Sequence, residues 1–238
     1  MRMKRFVMIC LATMVVLSIC LFVYKTNKHT VLLCDYSDIA VDISECHITK
    51  DELDTAITLQ LSALGAEVTE LTDEMAQLYF QKDSAELAKE SIVYEIVKNR
   101  YYESLYFQIL ELSYVDEKIL NEYAEQTYEQ LLSIADEKGL SLSQYLDINV
   151  FDEEVFMKTL RSMQKERLIL GEIIQKEKID IPSEDEILTV YEFDSTLNAL
   201  ETEYLKYTIK YTAVEQHLLT MYYSEIENYF NIIKNDLL

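Results

Sequence analysis

The sequence predicts an all-α protein, and three observations carry that prediction. The 238 residues include only three glycines and one proline, the residues that sheets and tight loops need, while Leu, Glu, Lys, Ile and Tyr are abundant. Apolar residues recur at three-to-four spacing through each long segment. Where that spacing lapses, helix-capping signals stand in its place. With half of its residues hydrophobic, the chain can bury a sizeable core in one or two domains.

Residues 1–30 stand apart. Phe6 to Tyr24 is an uncharged, almost wholly apolar run, close to the roughly 20 residues that a helix needs to cross a bilayer. Arg2, Lys4 and Arg5 precede it while Lys25 and Lys28 come after, an excess that favours a cytoplasmic N-terminus. The expectation is a single-pass anchor in the cell membrane with the rest of the chain extracytoplasmic. A cleaved signal peptide with Ser18 and Cys20 as its small residues is the rival. Leu17-Ser18-Ile19-Cys20 also has the leucine and cysteine of a lipidation box, but Ile19 sits where a small residue is expected.

Residues 31–238 are expected to form the helical domain. Val31 to Ser44 alternates apolar and polar around Ile39, Val41 and Ile43, which predicts a short strand or extended arm. Cys34 and Cys46 flank it, and both a disulfide and two thiols are open, since their separation is not diagnostic. Thr49 with Glu52 caps a helix carrying Leu53, Ile57, Leu61 and Leu64 that ends at Gly65. Asp83 with Glu86 caps the first long helix, whose Val93, Val97, Tyr101, Leu105 and Ile109 share one face. After a break near Ser113 to Asp116, Leu120, Tyr123, Thr127, Leu131 and Ile134 form the stripe of a second, making the two an expected antiparallel hairpin.

That helix ends at Lys138, before Gly139, and Ser141 with Gln144 reads as a capping box opening a short helix. Asp152 starts the next, which should bury Phe156, Leu160, Met163, Leu170 and Ile174 and finish before Ile181-Pro182, because proline disfavours helix in the residue ahead of it. Ser183 with Glu186 caps another helix. A long helical stretch then places Tyr204, Tyr207, Tyr211, Val214, Leu218, Tyr222, Tyr229 and Ile233 on one side.

This order of signals resembles the C-terminal chaperone region of bacterial trigger factor: Gly139-Leu140-Ser141-Leu142-Ser143-Gln144-Tyr145-Leu146, a charged amphipathic helix, then Glu177-Lys178-Ile179-Asp180-Ile181-Pro182-Ser183-Glu184. Upstream, Leu71-Thr72-Asp73-Glu74-Met75-Ala76 looks like the segment by which that family's chain re-enters its C-terminal domain. Tyr36-Ser37-Asp38-Ile39 with Ile48-Thr49-Lys50-Asp51-Glu52-Leu53 looks like the strand and helix start before the isomerase domain. The resemblance spans residues 34–190, and more loosely the remainder. It departs from the family between Gly65 and Leu71, where a few residues replace the isomerase domain, and at the N-terminus, where the membrane segment replaces the ribosome-docking loop. The resemblance implies a chaperone that holds unfolded or newly exported polypeptide clients without nucleotide. A peptidyl-prolyl isomerase of the same foldase group, or a helical adaptor for one envelope partner, are the alternatives.

The five basic residues before position 31 leave 16 basic against 43 acidic in residues 31–238, a net −27. Such a surface repels phosphate, which excludes nucleic acid as a direct partner. No Gly-rich phosphate loop, nucleophile elbow, His-Glu-x-x-His or calcium loop occurs, and His29, His47 and His217 are scattered, without zinc-ligand spacing. The expectation is therefore no catalytic residue, no metal and no cofactor. What stands out is 18 tyrosines and eight phenylalanines without a tryptophan. Tyr102 and Tyr106 fall off the stripe of the first long helix, and Tyr223 and Phe230 widen that of the last. These four are the candidate substrate-binding residues, because tyrosine offers apolar area with a wettable tip; ordinary packing between helical arms is the alternative.

Overall fold

A computed structural model describes residues 31–63, 71–146, 151–183 and 199–238, the side chains of 199–203 excepted. The described chain is all-α, with eight helices and one two-stranded ribbon. In chain order these are β1 (Val31–Leu32), α1 (Lys50–Ala63), α2 (Asp73–Phe80), α3 (Ala85–Leu112), β2 (Tyr114–Val115), α4 (Glu117–Glu137), α5 (Leu142–Tyr145), α6 (Glu153–Glu177), α7 (Ala199–Met221) and α8 (Tyr223–Leu237). No helix among the described residues is long and apolar enough to cross a membrane; the run Phe6 to Tyr24 lies outside them, as do Leu64, Gly65 and Glu186. Residues 31–238 form two compact units, one joining the chain up to Cys34 with Ser113–Glu172, the other joining Asp35–Leu112 with Ile173–Leu238.

In the first unit, β1 pairs antiparallel with β2, Val31 opposite Val115 and Leu32 opposite Tyr114. The Cys34 N–H adds a bond to the Ser113 hydroxyl at 3.1 Å. The break at Ser113 to Asp116 is therefore a strand followed by a cap, in which the Asp116 carboxylate accepts from the Lys118 N–H at 2.8 Å. α4 buries Leu120, Ala124, Leu131 and Ala135, while Tyr123, Thr127 and Ile134 are half-buried. Its end has the double bond of a Schellman turn: Gly139 sits at φ 69°, and Leu140 and Gly139 donate to Ala135 and Asp136. The Ser141–Gln144 capping box opens α5. α6 starts on Asp152, whose carboxylate accepts from Glu154 and Val155 at 2.9 and 3.1 Å. Leu160 and Leu170 are buried as expected, but Phe156 and Ile174 are only half-buried and Met163 is 44% exposed. The seam runs through its neighbour Gln164, because the Gln164 amide donates to Thr127 Oγ1 at 3.0 Å, which removes the usual penalty for burying an amide.

The second unit begins where the expected strand fails. Only Val31–Leu32 is strand; beyond it, the Asp35 and Asp42 carboxylates accept from Ser37 and Ser44 N–H groups, curling the chain into two single turns, Tyr36–Asp38 and Ile43–Cys46. The arm nevertheless buries Tyr36, Val41, Cys46 and Ile48. Cys34 and Cys46 are not bridged, and burial pushes the Cys46 thiol up to about 11. Thr49 and Glu52 form the reciprocal cap of α1, which buries Leu53, Ile57 and Leu61.

The cap of α3 is Ser84, not Asp83: the Ser84 hydroxyl accepts from Leu87 at 3.2 Å, and the Asp73 carboxylate from the preceding helix accepts from Ala85 at 2.7 Å. α3 packs on α1, α2, α7, α8 and the Ile43–Cys46 turn, which makes it the central element of this unit. α3 and α4, expected as a hairpin, belong to different units. The last long helix divides at Tyr222, although Tyr222 still donates to Leu218 and Ile226 to Tyr222. Val214, Leu218, Tyr222, Ile226 and Ile233 are buried, whereas Tyr204, placed on the same stripe by its spacing, is 70% exposed. The stripe runs past the end of the packed surface.

Candidate functional site

Tyrosine hydroxyls tie the arm of the second unit to its C-terminal helices. Tyr36 donates to the Glu177 carboxylate, Tyr222 donates to the Tyr36 carbonyl, and Tyr229 donates to the Val41 carbonyl at 2.6 Å. The Lys176 ammonium lies 4.1 Å from the Tyr36 ring centre and His217 Nε2 is 3.4 Å from Glu177. The Tyr36 bond, more than these charges, holds Glu177 below the usual carboxylate range. Tyr101 lies between Tyr222 and Tyr229 with ring centres 5.8 and 5.7 Å away.

Of the four residues singled out from the sequence, Tyr102 and Tyr106 are buried. Their rings stack at 5.5 Å, and both meet Tyr211 of α7 edge-on at 5.8 and 5.4 Å. Burial pushes the Tyr102 phenol up. Neither offers surface to a ligand, because α3 is covered on a second face by α7, which its single apolar stripe did not reveal.

Tyr223 and Phe230 do come together. With Leu87 and Tyr94 of α3 they line an open groove of about 460 Å³, bordered by Lys82, Glu90 and Glu227. Tyr223 is 55% exposed. Phe230 meets Tyr94 edge-on at 5.4 Å, which fixes the groove floor. Lys234 lies 5.3 Å from the Phe230 ring centre and 3.5 Å from Glu90, so its charge is already engaged. A hydrogen bond to Glu227 raises the Tyr223 phenol, and burial raises that of Tyr94. Leu87 and Tyr94 lie off the main stripe that periodicity picks out, although Leu87, Ser91 and Tyr94 form a short second stripe at four- and three-residue spacing.

A second groove of about 540 Å³ lies along a different face of α3, between Glu45, Arg100, Glu103, Phe107 and Glu111. Arg100 is bound to Glu52 at 2.7 Å and to the His47 carbonyl. No group of metal-ligating side chains occurs among the described residues. The aromatic groove contains no histidine or cysteine, and its chemistry is that of apolar contact with wettable hydroxyls. No family model, characterised protein or solved structure matches the chain.

Proposed function

We propose that the chain is a membrane-anchored, extracytoplasmic chaperone that holds unfolded or newly exported polypeptides, without nucleotide and without catalysis. The observation that carries the reading is the groove of Leu87, Tyr94, Tyr223 and Phe230, an aromatic floor open to solvent. Exposed apolar segments of another chain gain burial there, and the phenol hydroxyls keep the empty groove wettable. Binding of that kind acts by mass action on the unfolded state, which lowers the free concentration that aggregates. The resemblance of residues 34–190 to the trigger factor chaperone region supports the same reading, as does the apolar run Phe6 to Tyr24 for the anchor.

The test is suppression of aggregation of a chemically unfolded client by the full chain in detergent micelles, with empty micelles as control. Suppression without added nucleotide is the expected result; client aggregation at the control rate would overturn the proposal. For the anchor, protease added to spheroplasts should digest residues 31–238, and full protection would contradict the orientation.

A further inference from the structure

We infer that the outer face of the β1–β2 ribbon, Leu32 beside Tyr114, rests in the membrane interface and gives the chain a second contact with the bilayer. This depends on the anchor reading of Phe6 to Tyr24, and the experiment separates the two.

The pairing register sets the two faces of the ribbon. Residues directly opposite each other in an antiparallel pair point to the same side, and successive residues point to opposite sides. Val31 and Val115 therefore share one side, where Val115 is 3% exposed and Val31 is half-buried. Leu32 and Tyr114 share the other, and they are 59% and 54% exposed. An antiparallel sheet with one face packed commonly turns polar residues to water on the other. This one turns out a leucine and a tyrosine.

The length of the chain names what lies within reach of that face. Lys25 to Val31 are the seven residues that separate Tyr24 from Leu32, so even a fully extended link keeps Leu32 within about 28 Å of the end of the apolar run. With the run across the bilayer, the polar interface begins where the run ends and is about 5–7 Å thick. Tyrosine is enriched in that layer, because its ring sits against acyl chains while its hydroxyl stays among headgroups. Leu32 adds purely apolar area beside it. Charge is not the attraction. Asp35, Asp116 and Glu117 lie close in sequence to the two strands, against Lys118, which is 3.8 Å from Glu122, so the surface that fits is zwitterionic and the contact apolar.

Magnitudes decide what kind of contact this is. Two partly exposed side chains offer far less apolar area than a myristoyl chain, which by itself binds bilayers only marginally, with a constant of about 10⁴ M⁻¹. Without a link to the bilayer the ribbon would not hold. A short link raises the local concentration to about millimolar, which makes a weak contact populated but reversible.

The chain contains no tryptophan, so Tyr114→Trp puts a single indole on the ribbon. The full chain is reconstituted in phosphatidylcholine vesicles with or without lipid brominated on its acyl chains, which quenches indole on contact. Tyr114→Trp should emit at shorter wavelength than an indole in water and lose intensity on brominated lipid. Adding Leu32→Ser should restore much of that intensity, and Tyr204→Trp, at a 70% exposed position of α7, should keep its own. Phe22→Trp reports on the anchor. Quenching at position 22 but not at 114 would overturn the ribbon contact and leave the anchor intact, whereas no quenching at 22 would overturn the anchor and the ribbon contact with it. A blue shift at 114 without quenching would mean that protein, such as a second copy of the chain, covers the face in place of lipid. Equal quenching at 114 and 204 would overturn the assignment to the ribbon.

Discussion

The two units use tyrosine differently. Residues 113–172 contain four tyrosines in 60 residues and residues 35–112 with 173–238 contain 13 in 144, so the contrast lies in what the phenols reach and not in how many there are. In the first unit α4 and α6 meet at Tyr128 against Phe156, with ring centres 6.2 Å apart, and at the amide-to-hydroxyl bond from Gln164 to Thr127, while α4 buries Leu120, Ala124, Leu131 and Ala135. In the second, phenols fill the space and their hydroxyls reach backbone carbonyls and a carboxylate on other segments. The difference matters for function. Tyrosines fill the space around α3 on several faces, and the same residue type at the edge leaves Tyr94 and Tyr223 as an open aromatic floor.

The largest effects that test this contrast come from the aliphatic positions both units share. Leu160→Ala in α6 and Leu218→Ala in α7, both buried, should each lose about 2–5 kcal/mol, measured by urea unfolding. A loss well below that range at Leu218 would mean that the tyrosines around it carry the packing alone.

Smaller losses should come from the polar bonds. Thr127→Val leaves the buried Gln164 amide without its acceptor and should cost about 1–3 kcal/mol, whereas Tyr229→Phe removes one bond to the Val41 carbonyl and should cost about 1 kcal/mol. Equal costs would blur the distinction between the units.

Tyr36→Phe should show a pH signature. Glu177 is held below the ordinary glutamate value of 4.5, chiefly by the Tyr36 hydroxyl. A depressed carboxylate stabilises the fold above its unfolded value, and that contribution is lost as pH falls through the folded one. The stability difference between the parent chain and Tyr36→Phe should therefore be full at neutral pH and shrink on acidification below about 4.5, as thermal unfolding across pH would record. A difference that is flat with pH would mean that the bond does not hold Glu177 ionised.

The smallest effect is a gain. Lys178 ends α6 in the left-handed region at φ 53°, with Ile179 donating to Ile174, a conformation that costs a side-chain-bearing residue about 1 kcal/mol and glycine almost nothing. Lys178→Gly should raise the melting temperature slightly, and a fall would show that the lysine makes a compensating contact.

Helix starts were legible in the sequence at three of the announced caps, while Asp83 named the start of α3 one residue early. Thr49 with Glu52, Ser141 with Gln144, and Asp152 each accept the expected backbone N–H, and Gly139 ends α4 as its φ allows. What escaped was tertiary. Periodicity places Met163 and Gln164 almost equally well, and only the Thr127 hydroxyl across the seam decides between them. The alternation of residues 31–44 imitates a strand, but Asp35 and Asp42 offer the backbone a nearer acceptor than any second strand. Tyr102 and Tyr106 stepped off the main stripe because α3 has a second neighbour, which no single-helix pattern records. For the candidate site, Tyr223 and Phe230 were visible as excess aromatics on the last helix, while Leu87 and Tyr94 became meaningful only once α8 lay beside α3.

The central claim, that clients are held on the aromatic groove of the second unit, is tested most directly by site-specific photocrosslinking. A photoreactive phenylalanine analogue at Tyr223, and in a separate variant at the equally exposed Tyr114 of the ribbon, is irradiated in the full chain with an unfolded client present. Holding on the groove predicts client adducts at position 223, their loss on adding an excess of unlabelled apolar peptide, and none above background at position 114. Equal adducts at both positions, or adducts at 114 alone, would contradict it.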